Sequence, residues 1–367
     1  MIWLCVLGFS ASALVAGLIV RWMPGYATRY GTGMPQRFHI GDIPRLGGLA
    51  LLCGLVASWL MGMALTAWAD DPGSLRLGGW VGTWLVALIP AVLGGTAEDM
   101  TQRLAVSWRL VLTGLSGLLA VGLADLSVTH IGVSWGLTLM DAVPWLGMVI
   151  AFLAVMGLPH AFNIIDGYNG LAGMVALIVC LALAHVALQV GDRSLAALLV
   201  TTAAATGGFL VWNYPRGMLF AGDAGAYVWG IVIAMTSISL VQRNADVSPW
   251  FPMLLLIYPV WETLFSMYRK IARGISPGVA DALHFHQLIY RRIVRGVFHD
   301  DESRRVLMRN NRTSPYLWGF TLLTVVPAVL FWKNTPVLMA FCALFVVTYV
   351  VAYLSIVRFK VPNWLRR

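Results

Sequence analysis

The chain has 367 residues, 59% of them apolar and 11% charged, with a formal net charge of +9. Ordinary soluble domains carry about 25% charged residues, so this composition excludes a soluble enzyme. The basic excess falls in no recognisable nucleic-acid-binding module, which excludes that class of partner.

Apolar runs close to the ~20 residues that cross a hydrocarbon core recur along the whole chain. Backbone polar groups in lipid must be satisfied within the segment, and the period-two alternation of a barrel is missing. The expected fold is therefore an all-α, polytopic integral membrane protein with about 11 transmembrane helices. In chain order they fall at roughly 2–20, 46–68, 80–95, 108–124, 144–160, 170–190, 195–212, 226–241, 250–268, 316–332 and 337–356. The third and fifth are short, and Pro159 is expected to interrupt the fifth. The first run lacks a basic flank on its N-terminal side, so it reads as a retained span rather than a cleaved signal. Cys5, Cys53, Cys180 and Cys342 all lie within apolar runs, without metal-ligand spacing, and read as small core hydrophobes. No stretch is long enough for a second domain. Residues 1–367 form one membrane-embedded unit, with 269–315 as its long loop.

Orientation follows from the basic residues. With loops assigned alternately to two sides, all Lys and Arg except Arg76, Arg193, Arg243 and Lys333 fall on one side. The positive-inside rule makes that side cytoplasmic, with the N-terminus outside and the C-terminus inside. The same parity puts every polar cluster on that side: Arg37 to Arg45, Glu98 and Asp99, Asn163 to Gly170, Gly222 and Asp223, and Asp281 to His286. Carboxylates from several helix ends thus share one face, as a metal–phosphate site requires.

Asp223 stands between glycines where one apolar run ends and the next begins. An ionised carboxylate deep in a bilayer costs about 2.5–3.5 kcal/mol even on the lenient scale, so it belongs at a surface or in a polar cavity. A carboxylate beside a Gly turn suits Mg²⁺, which takes one or two protein carboxylates and completes its shell with water and phosphate. Turn chemistry between helices explains a lone Gly-Asp equally well; the other clusters weigh against it. Adjacent Glu98 and Asp99 repel each other when both are ionised, which favours a cation or a shared proton. Asp166 and Asn169 are three apart and, with Asn163, offer amides and a carboxylate to a base or sugar. In the long loop, His284 and His286 suit phosphate contact better than zinc. Beyond them Phe285, Ile289, Ile293 and Val297 recur every fourth residue among arginines, the pattern of a basic amphipathic helix in the headgroup layer. Glu262, near the inner end of the ninth span, is placed to support these groups from behind.

Taken in order, the motifs from His39 to Gly48, at Glu98–Asp99, from Ala161 to Gly170, at Asn213-Tyr-Pro, from Phe220 to Gly225 and from Asp281 to His286 resemble the polyprenyl-phosphate N-acetylhexosamine-1-phosphate transferases, the MraY/WecA-like membrane enzymes of glycosyltransferase family 4. The resemblance covers most of the chain. It implies transfer of a sugar 1-phosphate from a UDP-N-acetylhexosamine to undecaprenyl phosphate, releasing UMP, on the cytoplasmic face of a bacterial inner membrane. It also implies Mg²⁺ (Mn²⁺ as a substitute) on Asp223 and Asp99, and Asp99 as a leading catalytic carboxylate with Glu98 beside it. Asn163, Asp166, Asn169, Asn213, Arg45, His284 and His286 are then the substrate-binding residues, with membrane lipids around the protein and a homodimer left open.

The sequence departs from the family pattern in three places. Glu98 stands where an Asp is usual, Asn169 replaces the second Asp of an Asp-Gly-x-Asp-Gly motif, and His-Phe-His replaces three consecutive histidines. The last favours the polysaccharide-initiating branch over the one using UDP-N-acetylmuramyl-pentapeptide. The rival class is a transporter or flippase, which predicts acids near the bilayer midplane and paired half-repeats.

Overall fold

A computed structural model describes residues 1–23, 43–68, 77–276, 278 and 283–358. His39, Asp42, Asp281 and the tail beyond Arg358 lie outside the described residues. Among those described, every regular element is a helix. Ten of these helices are long and apolar enough to cross a membrane.

The N-terminal layer consists of α1 (Ile2–Trp22), α2 (Gly47–Trp68) and α8 (Arg193–Asn213), which pack on one another. Next come α3 (Trp80–Thr101), α4 (Val106–Ala124), the short α5 (Ser134–Ala142), α6 (Trp145–Ile165) and α7 (Leu171–Gln189). Of these, α3, α4, α6 and α7 pack around α9 (Gly222–Arg243), whose residues from Gly222 to Val241 are all buried. Helix α9 can occupy the centre because many of its residues are Gly, Ala, Ser or Thr, which let neighbouring backbones approach closely. Gly230 is the clearest case: a Cβ there would run into the backbone of Pro159 on α6.

The C-terminal part holds α10 (Trp250–Leu255), α11 (Ile257–Ile271), α12 (Phe285–Arg292), α13 (Glu302–Leu330) and α14 (Thr335–Val357). It meets the rest through α11 against α6 and α13 against α7. Buried indole N–H groups find partners inside the bundle: Trp59 donates to Thr201 at 3.1 Å and Trp229 to Thr206 at 2.9 Å.

The sequence reading needs correction at several elements. Helix α3 is not short, because it runs 22 residues through Glu98 and Asp99 to Thr101. Helix α6 is continuous through Pro159. The break falls instead in the ninth span, after Leu255, where Pro259 cannot donate back to that carbonyl and its ring would crowd it. The tenth span is part of a 29-residue helix that already begins at Glu302, so the long loop is partly helical. The apolar residues Phe285, Ile289, Ile293 and Val297 are buried inside the protein, with Phe285 against Phe320 and Tyr349. Periodicity shows that a face is apolar, not whether lipid or protein covers it.

Candidate active site

The site is built where the N-terminus of α9 meets the ends of α2, α3 and α6. Residues 44–48 pair with the segment before α9: Phe220 donates to the Pro44 carbonyl at 3.0 Å, while Gly47 and Gly48 donate to Phe220 and Ala221, each at 2.8 Å. Gly222 has φ of +71°, and a Cβ there would collide with the Arg45 carbonyl and the Asp99 carboxylate. Only glycine accepts that backbone without strain. Gly95 brings α3 equally close, since a Cβ there would lie 2.6 Å from the Ala224 backbone.

Helix α9 has no capping side chain of its own. Asp99, on α3, supplies one: its two oxygens accept the backbone N–H groups of Asp223 at 2.8 Å and Ala224 at 2.9 Å. Orphan N–H groups and the helix dipole both favour a carboxylate there. Asp99 is 2% exposed, and with each oxygen engaged it is a helix cap more than a substrate contact.

Asp223, 3% exposed, gathers the polar side chains. Asn163 donates to Oδ1 at 2.8 Å, and Arg109 and Tyr227 donate to Oδ2 at 2.8 and 3.2 Å. Arg45 stands 3.9 Å from Oδ1. Behind this group, His160 lies 3.0 Å from the Thr113 hydroxyl and edge-on to Tyr227.

Asp166 follows α6 directly. Its carboxylate has no hydrogen-bond partner among the described residues and is half-buried. Burial pushes its pKa up to about 7, against the opposing pull of Arg45 and with a further push from Asp223. Gly167 then sits beneath His286, leaving no room for a side chain. His286 is 2% exposed, stacks on His284 with ring centres 5.4 Å apart and meets Tyr168 edge-on. Burial, His284 and the weaker opposing pull of Glu262 leave its pKa lowered to about 3, so it is neutral at physiological pH. The phosphate contact that the sequence reading expected of His286 would therefore be a hydrogen bond from a neutral ring rather than an ion pair. His284 Nδ1 lies 3.0 Å from Glu262.

The structure thus brings Arg45, Asp99, Asn163, Asp166 and Asp223 together, with His284 and His286 joined to them through Gly167. It places three other candidates elsewhere. Glu98 turns away, accepting the Leu104 N–H at 2.8 Å and closing the turn after α3. Asn169 is 2% exposed and clamped by α13: Asn310 accepts its N–H at 2.8 Å, Asn311 accepts its side-chain amide at 2.9 Å, and Ser314 donates to its carbonyl at 2.6 Å. Asn213 bridges the Gly170 N–H and the Leu219 carbonyl. These two amides brace the loops behind the site, and neither is open to a substrate.

Sequence reasoning missed Arg109, Tyr227 and His160. Arg109 carried a signal, since a charge within an apolar run is a functional candidate by default; it entered only as a topology marker. His160 stands one helical turn before Asn163. Tyr227 gave only its spacing, four residues after Asp223 and so on the same face of one helix.

Among the described residues no three His, Cys, Asp or Glu side chains form a metal-binding cluster. Asp223 is the carboxylate placed to give a hard cation its single protein ligand, and because Arg109 and Arg45 already face it, the cation would take the place of Arg109 on Oδ2. Each Asp99 oxygen already accepts one α9 N–H, so a role as second ligand would draw on its remaining lone pairs.

Residues 80–241 match the family model described as Glycosyl transferase family 4. A probable undecaprenyl-phosphate N-acetylglucosaminyl 1-phosphate transferase of Bacillus subtilis is 26% identical over 80% of this chain and 78% of its own length. An undecaprenyl-phosphate alpha-N-acetylglucosaminyl 1-phosphate transferase of Yersinia pestis is 26% identical over 70% of this chain and 68% of its own. A decaprenyl-phosphate N-acetylglucosaminephosphotransferase of Mycolicibacterium smegmatis is 26% identical over 97% and 89%.

Proposed function

We infer that the chain, whose residues 80–241 match glycosyl transferase family 4, is a phosphoglycosyltransferase that moves a sugar 1-phosphate onto a polyprenyl phosphate. In the finer reading the donor is a UDP-N-acetylhexosamine, GlcNAc-like, and the acceptor is undecaprenyl phosphate. The products are undecaprenyl-diphospho-sugar and UMP, at the start of a cell-surface polysaccharide. The reaction faces the cytoplasm from the inner membrane, where the basic loops lie.

The observation that carries this reading is Asp223, buried and surrounded by Arg45, Arg109 and Asn163 at an end of the bundle. A water-soluble nucleotide sugar and a lipid phosphate can meet only at such a surface. The acids sit at helix ends, and α9 carries no charge between Ala224 and Gln242; this gives no support to a transport path through the midplane.

Arg45 and Arg109 would draw in the diphosphate and offset its charge, and Asn163 fixes the Asp223 carboxylate. Mg²⁺ held by Asp223 would neutralise the diphosphate and ease departure of UMP. A proton acceptor must reach its substrate, and this moves the role expected of Asp99 to Asp166, whose oxygens have no hydrogen-bond partner among the described residues and which is partly ionised near neutral pH. Asp166 would take up the acceptor phosphate's proton, and positioning would supply most of the acceleration, as in phosphoryl transfer generally.

Purified protein given UDP-GlcNAc, undecaprenyl phosphate and Mg²⁺ is expected to release UMP, and to stop in excess chelator. Asp223→Ala should abolish release while remaining folded. Undiminished turnover in the variant or in chelator would remove the metal assignment, and no turnover with any UDP-sugar would remove the donor assignment.

A further inference from the structure

Glu262 is a fully buried carboxylate on α11 that the reaction described above does not use. Three groups from two other elements converge on it. His284 Nδ1 lies 3.0 Å and the Phe285 N–H 3.2 Å from Oε1, and the Tyr349 hydroxyl of α14 donates to Oε2 at 2.7 Å. A buried carboxylate is costly unless hydrogen-bonded in this way. The donors therefore point to an ionised Glu262, which has only lone pairs to offer and requires the proton of His284 to sit on Nδ1. In the α12 capping box the Gln287 N–H also donates to the His284 side chain, so a backbone donor and the Glu262 carboxylate compete for the ring. An ionised carboxylate is the stronger partner and decides the tautomer.

The rest of the His284 environment fixes the ring as well. The His286 ring lies parallel to it, 7° from coplanar orientation. The His284 N–H is held by the Gln287 side chain at 3.3 Å. His284 Nε2 has no hydrogen-bond partner among the described residues. The imidazole is thus held by one nitrogen from behind, with the other free.

We propose that Glu262 is a positioning residue: it holds the proton on Nδ1 of His284, so that Nε2 is presented to a phosphate oxygen of the substrate. The proposal rests on the transferase reading, in which His284 is a phosphate contact. The titratable groups in contact with His284 are Glu262 from α11 and His286 from α12, and Tyr349 from α14 holds the far oxygen of Glu262.

The test uses the full chain in lipid nanodiscs with ¹⁵N-labelled histidine, His284 being assigned by difference from His284→Gln. Wild-type protein is expected to show His284 protonated on Nδ1, and Glu262→Gln a mixture of tautomers, because an amide can donate to the ring as well as accept. In the UMP-release assay, Glu262→Gln should lose kcat by about 10- to 100-fold, the range for partners that orient a working histidine. KM and the thermal midpoint should stay close to wild type. Glu262→Asp should recover part of the loss. A wild-type His284 protonated only on Nε2 would overturn the proposal, as would Glu262→Gln with unchanged kcat. Tyr349→Phe, which removes one donor and leaves the His284 contact, is the milder variant if Glu262→Gln does not fold; it should keep the wild-type tautomer, and loss of that tautomer would overturn the assignment. Spectroscopy reads the tautomer without turnover, so failure of the transferase reading would appear separately, as inactive wild-type protein.

Discussion

Replacing Asp99 separates a helix cap from a catalytic acid. Its carboxylate accepts two backbone N–H groups at the start of α9, at 2.8 and 2.9 Å. Hydrogen bonds to a charged group are worth about 1.5–3 kcal/mol each, so Asp99→Ala forfeits roughly 3–6 kcal/mol and leaves two buried donors without partners. Removing a buried charge returns part of that through relieved desolvation, which puts the net loss at about 3–5 kcal/mol. Asp99→Asn keeps one acceptor oxygen but turns its amide toward the second N–H. About half the loss, near 2 kcal/mol, is then expected. Thermal denaturation in detergent, with all variants at one scan rate because unfolding of such proteins is commonly irreversible, should rank wild type above Asn above Ala. UMP release should fall with the folded fraction. An Asp99→Asn protein with the wild-type midpoint and no turnover would refute the cap and return Asp99 to the chemistry.

Three further expectations follow from the same geometry. Gly222→Ala meets both a positive φ of +71° and occupied space at Arg45 and Asp99; little folded protein should be recovered by size-exclusion chromatography, and wild-type yield would refute the backbone assignment. Asp166, with its pKa pushed up to about 7, should give turnover that rises with pH through the neutral range, because the ionised form that accepts a proton grows there; Asp166→Asn should remove that limb of the pH–rate profile. Asn169→Ala removes the amide that α13 holds at 2.9 Å, so it should lower the thermal midpoint by the equivalent of about 1–3 kcal/mol, whereas a raised KM with no change in stability would mark it as a substrate contact after all.

The apolar runs made the membrane class and the all-helical fold legible, because a lipid-crossing segment must satisfy its own backbone and shows this in its local composition; the expected count of about 11 spans compares with ten among the described residues, the ninth being broken. Parity of the loops put the acidic clusters on one face before any coordinates, and the order of motifs pointed to the family. Composition could not say who meets whom. Asp99 and Glu98 look alike in the chain, yet one caps a neighbouring helix and the other closes its own turn. Asn169 and Asp166 share a motif, yet one is clamped behind the site and the other stands open within it. Arg109 and Asn163 reach Asp223 from other helices, contacts that no local pattern encodes. Whether an apolar stripe such as Phe285 to Val297 faces lipid or protein was likewise settled by packing. Helix formation is decided by a segment and its solvent, whereas the partner of each polar group depends on how the helices come together.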